Sequence, residues 1–78
     1  MTVDEAKSLV GKRIWVRMIS DYGEFDTRLK HEVTVTGVSG EGPSTSLFVK
    51  PPIPSKMAGP AWDKIQVGQI AQWGLSAH

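Results

Sequence analysis

Three residues able to do chemistry alternate along one stretch of the chain: Arg13, Trp15 and Arg17, with Ile14, Val16 and Met18 in step with them. Successive side chains of a strand point to opposite faces. A strand that buries Ile14, Val16 and Met18 therefore turns two guanidiniums and an indole outward. Such a trio has several uses. The guanidiniums can stack on the ring by cation–π contact. They can hold phosphate while the ring stacks a base. They can also form the centre of a protein contact, where Trp and Arg are enriched. Against these stands a packing role, with Trp15 covered by the N-terminal helix or the proline segment and the arginine stems lying over it.

A second candidate contact lies in Lys50-Pro51-Pro52-Ile53-Pro54-Ser55-Lys56, which fits a Pro-x-x-Pro-x-Lys ligand pattern. Prolines hold such a segment ready for binding at low entropic cost. Ile53, Met57 and Trp62 are its apolar side chains, placed either to meet a partner or to fold the segment back over the core.

Catalytic signals are weak by comparison. Cysteine is absent, which excludes thiol catalysis, disulfides and cysteine-ligated metal. His31 and His78 fall in no ligand spacing. Asp21, Glu24 and Asp26 share one turn but lack the alternating oxygens and closing glutamate of a calcium loop. Paired carboxylates also need burial for acid–base work, which a turn tip rarely provides. Gly37, Gly40 and Gly42 have no Walker lysine and no long helix after them, so they read as bulge and turn residues. No serine sits in a nucleophile elbow. The expectation is a non-enzymatic protein with no catalytic residue, metal or cofactor.

Composition sets the frame for these residues. Seventy-eight residues allow one small domain, 1–78, with a thin core. The hydrophobic fraction of 40% and charged fraction of 22% suit a folded chain. A net charge of +1 creates no field for non-specific nucleic-acid or membrane binding. No apolar run approaches a membrane span. Acids at Asp4 and Glu5 stand where a secretory signal has cations. A cytosolic protein is expected.

The elements follow from periodicity. Residues 2–10 read as a helix: Thr2 and Glu5 form a capping-box signature, Val3, Ala6, Leu9 and Val10 recur at helical spacing, and Gly11 supplies a left-handed stop. Residues 12–50 read as strands. The first carries the Arg-Trp-Arg face. Phe25 to Lys30 can continue a hairpin. A strand over 32–38 points Val33 and Val35 one way and Thr34 and Thr36 the other, with Gly37 offering a bulge. Leu47-Phe48-Val49 forms a short strand stopped by Pro51 and Pro52. Residues 51–62 are an extended Pro-rich segment. Over 64–75, Ile65, Val67, Ala71, Trp73 and Leu75 share odd parity, a last strand or pair of strands with a kink at Gly68. The resulting fold class is mainly β: a small SH3-like barrel of four to five short strands with one short N-terminal helix. An OB-like barrel and a dimerising α+β sheet are the alternatives.

The run from Val3 to Arg17, followed by Val33-Thr34-Val35-Thr36-Gly37-Val38, resembles small bacteriophage-encoded accessory proteins with SH3-like barrels. The resemblance covers about half the chain. It implies a non-catalytic module, with some members acting on host proteins. Gly11-Lys12-Arg13-Ile14-Trp15-Val16 with Gly23-Glu24-Phe25-Asp26 is also similar to the first strands of Sm-like RNA-binding rings. Thr27 stands where that pattern has glycine, and the RNA-contacting residues are missing. The expected function is a protein-binding module using Arg13, Trp15, Arg17, Ile53, Met57 and Trp62. A nucleic-acid-binding barrel using Lys12, Arg13, Trp15 and Arg17 is the alternative. A structural homo-oligomer is the third reading, because an apolar C-terminal strand, Trp73-Gly74-Leu75, invites edge pairing.

Overall fold

The computed structural model describes residues 1–19, 25–55 and 59–76. One helix, α1 (Val3–Ser8), precedes β1 (Arg13–Met18), β2 (His31–Ser39), β3 (Ser46–Ile53), β4 (Trp62–Gln66) and β5 (Ile70–Leu75). Short 3₁₀ turns occupy Gly42–Ser44 and Val67–Gln69. The five strands form one antiparallel sheet in the order β4-β3-β2-β1-β5, so the last strand returns beside the first. The mainly β architecture with one short helix is the one the periodicity predicts. No helix among the described residues is long and apolar enough to cross a membrane.

The capping box forms as the sequence implies. Glu5 N–H donates to Thr2 Oγ1 at 3.1 Å, and Thr2 N–H donates to Glu5 Oε1 at 2.8 Å. Ala6 and Leu9 seat the helix on the sheet. Val10, which the periodicity assigns to the same stripe, is 46% exposed. The helix ends at Ser8, and the chain turns through Gly11 at φ +85° before Val10 can come round to the core. The turn is held by Gly11 N–H to Val35 C=O at 2.7 Å and Val35 N–H to Lys12 C=O at 3.0 Å.

In β1 the alternation holds: Ile14, Val16 and Met18 are fully buried. In β2 the inward residues are Val33 and Val35, and the register against β3 slips between Val35 and Gly37, where a bulge was expected. β3 departs from expectation. It runs on through Pro51 and Pro52 to Ile53. Prolines lack the N–H a ladder needs, and they can remain in a strand only where a neighbour does not require it. Here the β3–β4 pairing is interrupted between Phe48 and Ile53.

The terminal segment is two strands, split by the 3₁₀ turn rather than kinked at Gly68 alone. The odd parity read across 64–75 is also broken. Ile70 is buried opposite Met18, while Ala71 is exposed. A bulge opposite Arg17/Met18 admits Ala71 as an extra residue and puts Trp73 and Leu75 back on the core side.

Phe25 does not continue a strand but is fully buried. Its ring meets that of Trp62 on β4, with centroids 5.7 Å apart and planes tilted by 51°. Phe25, ahead of β2 in the chain, thus packs in the core against the edge strand β4.

Candidate functional site

Cross-strand register builds the outer face from β1 outward. Trp15 lies opposite Gly74 of β5 on one side and Glu32 of β2 on the other. Glycine leaves an empty site on that face, and the indole fills it. A Cβ built on Gly74 would stand 2.6 Å from indole Nε1 and 2.8 Å from Cε2. The Lys30 ammonium sits over the same ring, 4.5 Å from its centroid. Trp15 is consequently half-buried by its own sheet. Gly74 and Lys30 are its neighbours on that face among the contacts of the described residues.

Both arginines have polar partners on this face. Arg17 Nη1 donates to Gln72 Oε1 at 3.1 Å and Nη2 to the Arg28 carbonyl at 3.5 Å. Its Nε is buried without a partner among the described residues. Arg13 pairs with Glu32 at 3.9 Å, and Ser76 Oγ donates to the other oxygen of that carboxylate. These bonds hold the guanidiniums in place while leaving much of the Arg13 side chain in solvent.

A second feature shares this face. The outer-row residues Thr34 and Lys50 are register partners, as are Phe48 and Lys64. Phe48 is exposed, with the Lys64 ammonium 5.7 Å from its ring centroid. Thr36, Phe48, Val49, Lys50, Pro51, Pro52 and Asp63 line an open groove of about 340 Å³. It opens where the β3–β4 pairing is interrupted between Phe48 and Ile53, beside Pro51 and Pro52. Arg13, Arg17, Lys30, Lys50 and Lys64 border the two aromatic positions, against the carboxylates of Glu32 and Asp63.

No family model, curated protein or solved structure matches the chain.

Of the residues singled out in the sequence, Arg13, Trp15 and Arg17 come together. Ile53 does not join them: it is 1% exposed and belongs to the core. Trp62 also turns inward, packing on Phe25 and donating from Nε1 to Ser55 Oγ at 2.9 Å. Met57, Lys56, Asp21 and Glu24 lie outside the described residues. Asp26 accepts from Arg28 N–H at 3.0 Å, from Nε at 3.2 Å and from Nη2 at 3.1 Å, which organises a turn. Among the described residues no three metal-ligating side chains converge. Sequence reading missed Gly74, Lys30 and Phe48. A lone glycine between Trp73 and Leu75 is a usable signal for Gly74, since glycine inside a strand often marks a close approach. Lys30 carries no comparable signal, because its contact with Trp15 spans two strands.

Proposed function

We propose that the chain is a non-enzymatic protein-binding module whose contact face is centred on Trp15. The supporting observation is a half-buried indole with the Lys30 ammonium over its ring, on a strand face it shares with Arg13, paired with Glu32, and Arg17, bonded to Gln72. Aromatic and arginine side chains held in place before binding lose little entropy on contact, the pattern typical of interface hot spots. The Phe48 groove on the same face offers a second apolar seat, with Pro51 and Pro52 as its wall. Five cations border these seats, so the fitting partner is an acidic protein surface that projects an apolar side chain.

The fold is read as a half-open SH3-like barrel. The support is the strand order, with β5 returning beside β1 after a 3₁₀ turn, and the Phe25–Trp62 contact in the core. The resemblance to small phage-encoded accessory proteins makes a host protein the partner to test first. The cysteine-free composition fits a cytosolic setting.

A nucleic-acid role is disfavoured by Lys30, which occupies a ring face that a base would need for stacking. The test is affinity capture from host lysate with the wild type, Arg13→Ala and Arg17→Ala as baits. A discrete protein held by the wild type after nuclease treatment, and reduced with both variants, supports the proposal. Capture abolished by nuclease, or equal capture by all three baits, overturns it.

A further inference from the structure

The two edges of the sheet are unequal. β4 carries Asp63 and Lys64 and follows Pro60, and charges and proline are the usual means by which an edge strand is kept from pairing. β5, Ile-Ala-Gln-Trp-Gly-Leu, carries no charge and no proline. Among the described residues it has β1 as its one strand neighbour.

Hydrogen-bond phase determines what β5 offers. Ser76 N–H donates to the Arg13 carbonyl at 3.1 Å. Antiparallel pairs alternate between bonded and non-bonded. Arg13/Ser76 is a bonded pair, so Trp15/Gly74 is the next one, and Ile14/Leu75 and Val16/Trp73 are non-bonded. Trp73 and Leu75 therefore turn their backbone N–H and C=O away from β1, toward the open edge. The same two residues carry their side chains on the core side of the sheet. Trp73 is half-buried there, and Leu75 is 61% exposed.

We propose that β5 pairs antiparallel with β5 of a second copy of this chain about a two-fold axis at Gly74. In that register Trp73 of one copy lies opposite Leu75 of the other. Each such pair exchanges the backbone bonds that the described residues of the single chain leave open. Exposed Leu75 comes to lie beside an indole, which extends the apolar layer across both copies. A two-fold axis brings like residues near one another, and an uncharged strand meets no like-charge repulsion there. On the outer face Gly74 meets its own copy. The two β1 strands then stand three strand spacings apart, about 14 Å, and the two Trp15 positions form one continuous surface. The pairing itself does not depend on Trp15 binding anything.

Two measurements on the full chain test this. Sedimentation equilibrium from 1 to 500 µM (roughly spanning the usual range of homodimer affinities) should show a species of twice 8.5 kDa. Leu75→Lys and Leu75→Glu should each return it to the single-chain mass, with far-UV circular dichroism unchanged. Backbone amide exchange on the wild type gives a readout that needs no variant. In the dimer, Trp73 and Leu75 amides should be protected as strongly as those of β1. A single-chain mass at all concentrations, or fast exchange at both amides, overturns the proposal. So does a dimer that both Leu75 variants leave intact. Mass rising beyond two copies with protection appearing on β4 would mean head-to-tail pairing, and would equally contradict the two-fold arrangement.

Discussion

The indole of Trp15 occupies the space where a side chain of Gly74 would stand, with Nε1 at 2.6 Å from the position of a Cβ. The two residues are direct register partners on neighbouring strands. No methyl group fits at that distance, so the ring and a side chain at 74 exclude one another.

Gly74→Ala therefore displaces the indole from its seat. Overpacking of this kind costs about 1–3 kcal/mol. Melting should fall accordingly, and Trp15 should become more exposed. A tryptophan emission shift to the red, measured on a variant in which Trp15 is the only ring changed in environment, checks this. Gly68→Ala is the control, since no atom lies within 4 Å of a Cβ there.

Phe25 joins the connection before β2 to Trp62 on β4 and is fully buried. Phe25→Ala removes that ring at a cost of about 3–5 kcal/mol. Small domains hold only about 5–15 kcal/mol in total. The variant should lose a large share of its stability and melt far below the parent by calorimetry. Arg28→Ala, which breaks an ion pair whose guanidinium side chain is 85% exposed, should melt like the parent.

His31 lies on the core side of β2, in the row with Val16 and Trp73. Burial pushes its pKa below the ordinary value, and the nearby Asp26 charge only partly opposes this. The folded chain thus binds a proton less readily than the unfolded chain. Stability is full above the unfolded value, about 6.5, and declines as pH falls from there toward the folded value. Urea midpoints should drop between pH 7.5 and 5.5, and His31→Gln should flatten that decline. Glu5, held below the usual carboxylate range by the Thr2 backbone N–H, acts in the same direction but at lower pH.

How far these features were legible in the sequence follows from their range along the chain. The capping box of Thr2 and Glu5 and the alternation of β1 were readable because each depends on residues a few positions apart. Gly37 signalled its bulge for the same reason. The continuation of β3 through Pro51 and Pro52 was not readable. It depends on where pairing stops on both sides of β3, with β2 pairing no further than Lys50 and β4 unpaired between Phe48 and Ile53. The split of the last segment was obscured because a 3₁₀ turn and a bulge at Ala71 each shift the parity. Within the site, β1 placed Arg13, Trp15 and Arg17 correctly on one face. Their partners Gly74, Glu32 and Gln72 come from other strands and Lys30 from the position just before β2, and only register brings them there.

Arg13 and Arg17 separate binding from stability. Arg13→Ala removes an exposed pair and should move stability by no more than about 0.5 kcal/mol. Arg17→Ala also loses its bonds to Gln72 and Arg28, worth about 1 kcal/mol. Both should reduce partner capture well beyond what these shifts explain. Parallel melting and quantitative capture on each variant give the comparison.

Trp15→Ala is the most direct test of the contact face, read by thermal melting and partner capture on the same preparation. Trp15 is half-buried against its own sheet, so its removal should cost less than the 3–5 kcal/mol or so of a fully buried indole. The expected result is a folded protein with a cooperative transition that no longer retains the captured partner. A variant that keeps the partner at wild-type level would contradict a contact face centred on Trp15.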